Sequence, residues 1–141
     1  MTDRPKAGEP EDNGEARKLL GGLRCLVVED DFLIALDIQE LLESAGAAAV
    51  TCAGSIADAL AALQNEPPFA VAVVDIGLDE KDKTGVAVPL ALHERGIPFV
   101  FLTGMGGDDK RARQFPETPV VDKPYRIDEL LAALRRALRR R

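Results

Sequence analysis

The chain has 141 residues, 46% hydrophobic and 30% charged, which suits one domain with an ordinary apolar core and excludes wholesale disorder or a collagen-like fibre. Its apolar runs, such as 69–75 and 97–102, fall far below the ~20 residues of a membrane-spanning helix. The N-terminus has no apolar signal-peptide core, so a cytoplasmic protein is expected. The net charge of −6 conceals a change of sign: residues 23–125 carry 17 acids against 8 bases, and residues 126–141 carry 2 against 6. An acidic body disfavours nucleic-acid binding, which needs clustered Lys and Arg.

Residues 1–22 mix Pro, Gly and alternating charges and read as a flexible extension ending at Gly21 and Gly22, with the domain proper spanning 23–141. The apolar run 23–28 predicts a buried strand. Ile34, Ile38, Leu41, Leu42 and Ala45 then recur at helical spacing, so 31–45 is an amphipathic helix stopped by Gly46. The unit repeats: strand 47–52, a helix capped by Ser55, and strand 70–75, apolar on both faces until its final aspartate. A loop over 76–84, a helix over 85–95 and strand 97–103 follow. The glycine-rich stretch 104–117 supports at most a short, marginal helix. A brief strand over 118–121 precedes a closing helix whose stripe is Ile127, Leu130, Leu131, Leu134 and Leu138. Five strands alternating with helices predict an α/β fold, a parallel sheet covered on both faces through right-handed crossovers. Cys25 and Cys52 lack CxxC spacing and nearby histidines, and are expected to be buried thiols.

In such sheets ligands gather beyond the carboxyl ends of the strands. Those ends present Glu29, Asp30 and Asp31, then Asp75, then Thr103, with Lys123 after the last strand. Crowded carboxylates need a cation or a proton, and all-oxygen ligation with retained waters suits Mg2+. Lys123 adds a fixed positive charge and Thr103 a hydroxyl, which are what a transferring phosphoryl group needs. The chain has no P-loop, so the phosphoryl group arrives on something other than a cradled nucleotide, and Asp75 is the natural acceptor.

The segments VVEDD at 27–31, VVDIGL at 73–78, FLTG at 101–104 and DKPY at 122–125, in this order, resemble the receiver domain of two-component response regulators. The resemblance covers about 23–140. It implies a flavodoxin-like doubly wound sheet of order 2-1-3-4-5. It also implies that Asp75 takes a phosphoryl group from a histidine of a sensor histidine kinase or histidine phosphotransfer protein. Glu29, Asp30, Asp75 and the backbone carbonyl of Gly77 would hold Mg2+, with Thr103 as the switching hydroxyl and Lys123 as the salt-bridge partner. Asp31 reads as a helix N-cap. The expected protein is a signalling phosphoprotein of the phosphorelay, not an enzyme. With no room for an effector, it would act as a stand-alone receiver through protein contact with an unknown output partner.

Several positions depart from the family pattern. Val120 stands where receivers place an aromatic three residues before the lysine. Asp79 replaces a usual proline four residues after the acceptor, and Gly85 comes ten residues after it instead of eight. The stretch IPFVFLTGMGG is similar to the FATGUY group of single-domain receivers, with Leu102 in place of Ala and without the Tyr. Two other functions compete: a phosphorylation-independent interaction module, and a small Mg2+-dependent aspartyl phosphohydrolase. The second lacks the general acid usual two residues after the nucleophile, where Gly77 stands. Neither Gly77 nor Met105 carries a group able to orient water, which predicts a long-lived phosphoaspartate. His93 is expected at the surface or its boundary, Phe99 and Phe101 in the core. Arg135, Arg136, Arg139, Arg140 and Arg141 form either a partner-binding patch or charges complementing a helix end.

Overall fold

The computed structural model describes residues 19–64, 67–77, 86–104 and 109–139. Strands β1 (Arg24–Val28), β2 (Ala49–Ala53), β3 (Val71–Asp75), β4 (Phe99–Thr103) and β5 (Val120–Asp122) alternate with helices α1 (Phe32–Ser44), α2 (Ile56–Ala62), α3 (Ala87–Glu94), α4 (Lys110–Arg113) and α5 (Ile127–Arg139). The strands form one parallel sheet of order β2-β1-β3-β4-β5, the expected doubly wound topology. Among the described residues no helix is long and apolar enough to cross a membrane.

Strand alternation divides the core. One row, with Leu26, Val28, Ala72, Val74, Phe99 and Phe101, packs against α2, α3 and α4. The opposite row, with Cys25, Val27, Val71, Val73, Val100 and Leu102, packs against Ile38 and Leu42 of α1 and Leu130 and Leu134 of α5. Being central, β3 and β4 are buried along their whole length, which is why both read as continuous apolar runs.

Local chemistry sets the helix starts. Asp31 Oδ1 accepts from the backbone N–H groups of Leu33 and Ile34 at 2.9 and 3.2 Å. Ser55 Oγ accepts from Asp58 at 3.0 Å. Asp31→Ala should lower stability by about 0.5–2 kcal/mol, the usual cost of a lost N-cap. Urea unfolding checks this, and an unchanged midpoint would contradict it. In α3, Pro89 lies in the first turn, where a missing N–H breaks no intrahelical bond.

Several expectations need adjustment. The packed unit begins before Leu23: Leu20 is fully buried, and its N–H donates to the Ala45 carbonyl at 2.9 Å. Residues 1–18, expected to be flexible, lie outside the described residues, as do Asp79, Gly85, Met105, Arg140 and Arg141. Cys25 is buried, but Cys52 is exposed. It sits on edge strand β2, where its thiol meets only the flank of α1, 3.6 Å from Gln39 Oε1. Ile127 is 64% exposed, because the first residue of α5 projects past the sheet before the stripe turns inward at Leu130. Strand β5 starts two residues later than expected, after Thr118 closes a turn onto Phe115 and Pro119 lacks an N–H. His93 is exposed, while Phe99 and Phe101 are buried as expected.

Candidate functional site

Three strand tips converge because the alternation that builds the core continues past the strand ends. Glu29 follows the row of Cys25 and Val27, Asp75 that of Val71 and Val73, and Lys123 that of Val121. All three therefore project toward the α1 and α5 side. Thr103 follows Phe99 and Phe101 on the other side. Backbone bonds fix the tips: Glu29 N–H donates to Ala53, Ile76 N–H to Leu102 and Lys123 N–H to Thr103, at 3.0, 3.0 and 2.8 Å.

Lys123 Nζ joins the two buried carboxylates, 3.1 Å from Glu29 Oε1 and 3.2 Å from Asp75 Oδ2. The other Asp75 oxygen, Oδ1, accepts the Gly77 N–H at 3.1 Å. Carboxylate oxygens of Glu29, Asp30 and Asp75 lie within 4.8 Å of one another. Asp30 is exposed, whereas Glu29, Asp75 and Thr103 are buried. The space above Asp75 is open at Gly77, where an added Cβ would stand 3.8 Å from Asp75 Oδ1. Sequence reasoning singled out all six residues, and the fold brings them to one end of the sheet.

The electrostatics are those of an undercompensated acidic cluster. Burial, then the hydrogen bond and charge of Asp75, push the Glu29 carboxyl up to about 7 against the opposing pull of Lys123. Burial pulls the Lys123 ammonium downward, but the charges and hydrogen bonds of Asp75 and Glu29 outweigh it and carry it above its ordinary value. Glu29 Oε2 is buried with no hydrogen-bond partner. A buried oxygen of this kind is costly unless a proton or cation meets it. An all-oxygen set of three carboxylates around it fits a hard divalent cation.

Tyr125 is a neighbour that the sequence alone did not single out for the site. Burial raises its phenol, and the charges of Asp37 and Glu29 raise it further. Its place in DKPY, two residues after the lysine, was the available signal. Arg136 and Arg139 are exposed on the last turns of α5.

A doubly wound sheet of this order, with an acidic cluster and a bridging lysine at its carboxyl end, defines a receiver. The chain belongs to the response regulator receiver domain family, whose model matches residues 25–135. It is 43% identical over 97 residues to the sensor protein TorS of Escherichia coli, covering 67% of this chain and 10% of TorS. It is 32% identical over 120 residues to the heme response regulator HssR of Staphylococcus haemolyticus, covering 84% of this chain and 52% of HssR. The crystal structure of the response regulator PhyR from Brucella abortus aligns with a TM-score of 0.66 and 28% identity, over 89% of this chain and 51% of that one. The chain thus spans about half of HssR and PhyR and a tenth of TorS. Receivers are two-component signalling modules whose general function is to accept a phosphoryl group, and they are generally not enzymes. Members of the family typically bind Mg2+ in an acidic pocket and interact with histidine kinases and output partners.

Proposed function

We propose that this chain is a cytoplasmic phosphorelay receiver in which Asp75 takes a phosphoryl group from a phosphohistidine and signals the change by protein contact. The observation that carries this reading is Lys123 Nζ spanning Glu29 and Asp75, beside a buried Glu29 oxygen without a partner. Glu29, Asp30 and Asp75, with the Gly77 carbonyl, are the residues that would hold Mg2+. When bound, the ion supplies positive charge that offsets the phosphoryl oxygens. Thr103 and Lys123 are assigned to those oxygens as hydroxyl and cation.

The transfer balances simply. An Asp75 carboxylate oxygen forms a bond to phosphorus while the bond from phosphorus to the donor imidazole nitrogen breaks, and its electron pair leaves with the imidazole. Gly77 N–H orients the carboxylate through Oδ1, and Lys123 counters the charge that collects on the far side. Donor candidates are a sensor histidine kinase or a histidine phosphotransfer protein.

Incubation with acetyl phosphate and Mg2+ should add one phosphoryl group to the intact chain, mapped to Asp75 by mass spectrometry. No adduct, or an adduct elsewhere, would reject the reading. The phosphoaspartate should persist for minutes or longer after donor removal, since Gly77 offers no side chain to orient water. Gly77→Glu should shorten that lifetime by placing a general base over the acyl phosphate. A wild-type half-life of seconds would contradict this.

A further inference from the structure

Val120 places no ring beside Thr103, yet the side of the sheet that Thr103 faces is rich in aromatic contacts. Phe99, Phe101 and Thr103 are successive same-face residues of β4, exposed by 6%, 0% and 1%. Phe99 and Phe101 meet edge to face at 5.3 Å. Phe115, just past α4, packs edge to face on both, at 5.7 and 5.9 Å. Phe115 also meets the His93 ring edge to face at 6.3 Å. Beyond these rings lies a groove of about 600 Å3, whose lining includes Leu90, His93, Phe99, Phe115 and Pro119.

We propose that Phe115 is the positioning residue that couples Thr103 to this outer groove, from a different element than the strand that carries Val120. The proposal rests on Asp75 being the phosphoacceptor. A phosphoryl group on Asp75 that draws in the Thr103 hydroxyl moves the tip of β4. Phe101 and Phe99 lie next along the same row, and close-packed interiors do not absorb such shifts in voids. Phe115 is only partly buried, so it is the ring with room to yield. It cannot yield alone: its N–H donates to Ala112 of α4 at 3.0 Å, and its carbonyl accepts from Thr118 at 3.0 Å. Helix α4 is four residues long. The Asp109 carboxylate holds it, accepting from the Arg111 backbone and from its guanidinium at 2.8–3.0 Å. Displacing Phe115 therefore re-aims α4 and reshapes the groove, a two-state packing change of the kind that carries signals across receptors and switches.

His93 is the only histidine in the chain, so its ring resonances report on the groove without ambiguity. Titrating the full chain with beryllofluoride and Mg2+ should move the His93 ring signals and the Gly77 amide together, with one midpoint. A moving Gly77 with a stationary His93 overturns the coupling and leaves the phosphoacceptor reading standing. If both are stationary, that reading fails and the coupling fails with it. A thermodynamic cycle separates coupling from packing. Phe115→Leu, whose smaller side chain yields more easily, should tighten beryllofluoride binding about threefold in the Thr103 chain and leave it unchanged in a Thr103→Ala background. An equal effect in both backgrounds overturns the proposal. If Phe115→Leu does not fold, Phe115→Met, whose flexible side chain also yields more easily than the ring, completes the same cycle with the same criterion.

Discussion

Asp75→Asn is expected to abolish phosphoryl transfer from a phosphohistidine donor while leaving the fold intact. Asparagine has nearly the shape of aspartate, and its carbonyl oxygen still accepts the Gly77 N–H that Asp75 Oδ1 accepts at 3.1 Å. Its amide is no nucleophile at phosphorus, and it gives Lys123 no charge to hold. The Lys123 ammonium would then keep only Glu29, at 3.1 Å. Because the substitution removes one of three crowded carboxylates, it relieves repulsion. Thermal unfolding of the metal-free chain should therefore occur no lower than in wild type. The measurement is radiolabel transfer from a phosphorylated histidine kinase or phosphotransfer protein, with uptake falling below detection. Undiminished transfer to Asp75→Asn would sink the assignment of the acceptor, and transfer redirected to Asp30 would identify the wrong member of the cluster.

The second large effect is a pH dependence set by Glu29. Its carboxyl is raised from an ordinary 4.5 to about 7, first by burial and then by Asp75. Below about 4.5 the group is protonated in folded and unfolded chains alike. Between 4.5 and 7 the folded chain keeps a proton that the unfolded chain has lost, so stability falls as the pH rises across that window and levels off above it. The metal-free chain should therefore melt at a lower temperature at pH 8 than at pH 5. Glu29→Gln should flatten that slope. A divalent cation must displace the same proton. Apparent Mg2+ affinity should weaken by about tenfold per pH unit below 7, read by isothermal titration calorimetry in buffers of matched ionic strength. An affinity that is constant between pH 6 and 8 would remove Glu29 from the ion's ligands.

Much of this molecule is legible in its residues, and the unevenness has physical causes. Strands β1, β3 and β4 lie inside the sheet and are covered on both faces, so between Arg24 at the start of β1 and the polar tips Asp75 and Thr103 they read as continuous apolar runs. The edge strands are weaker. Alanines blur β2, and its exposed Cys52 followed from a position in the sheet that local pattern does not encode. Ile127 had the right spacing for the core stripe, but spacing does not say where the sheet ends. Leu20 looked like the end of a polar leader because its partners are near Ala45, far away in sequence. The candidate site residues were visible because a parallel sheet gathers strand ends, whichever residues fill the strands.

By itself the sequence determined the succession of strands and helices and the acidic character of the body, and it singled out the candidate site residues Glu29, Asp30, Asp75, Gly77, Thr103 and Lys123. These follow from short-range spacing and side-chain chemistry. Only the tertiary structure decided that Lys123 reaches both Glu29 and Asp75 and that one Glu29 oxygen is stranded in the interior. It also decided that Phe115 lies against the strand carrying Thr103. Those relations join residues 94, 48 and 14 positions apart, and such distances close only when strand order and register bring the ends together.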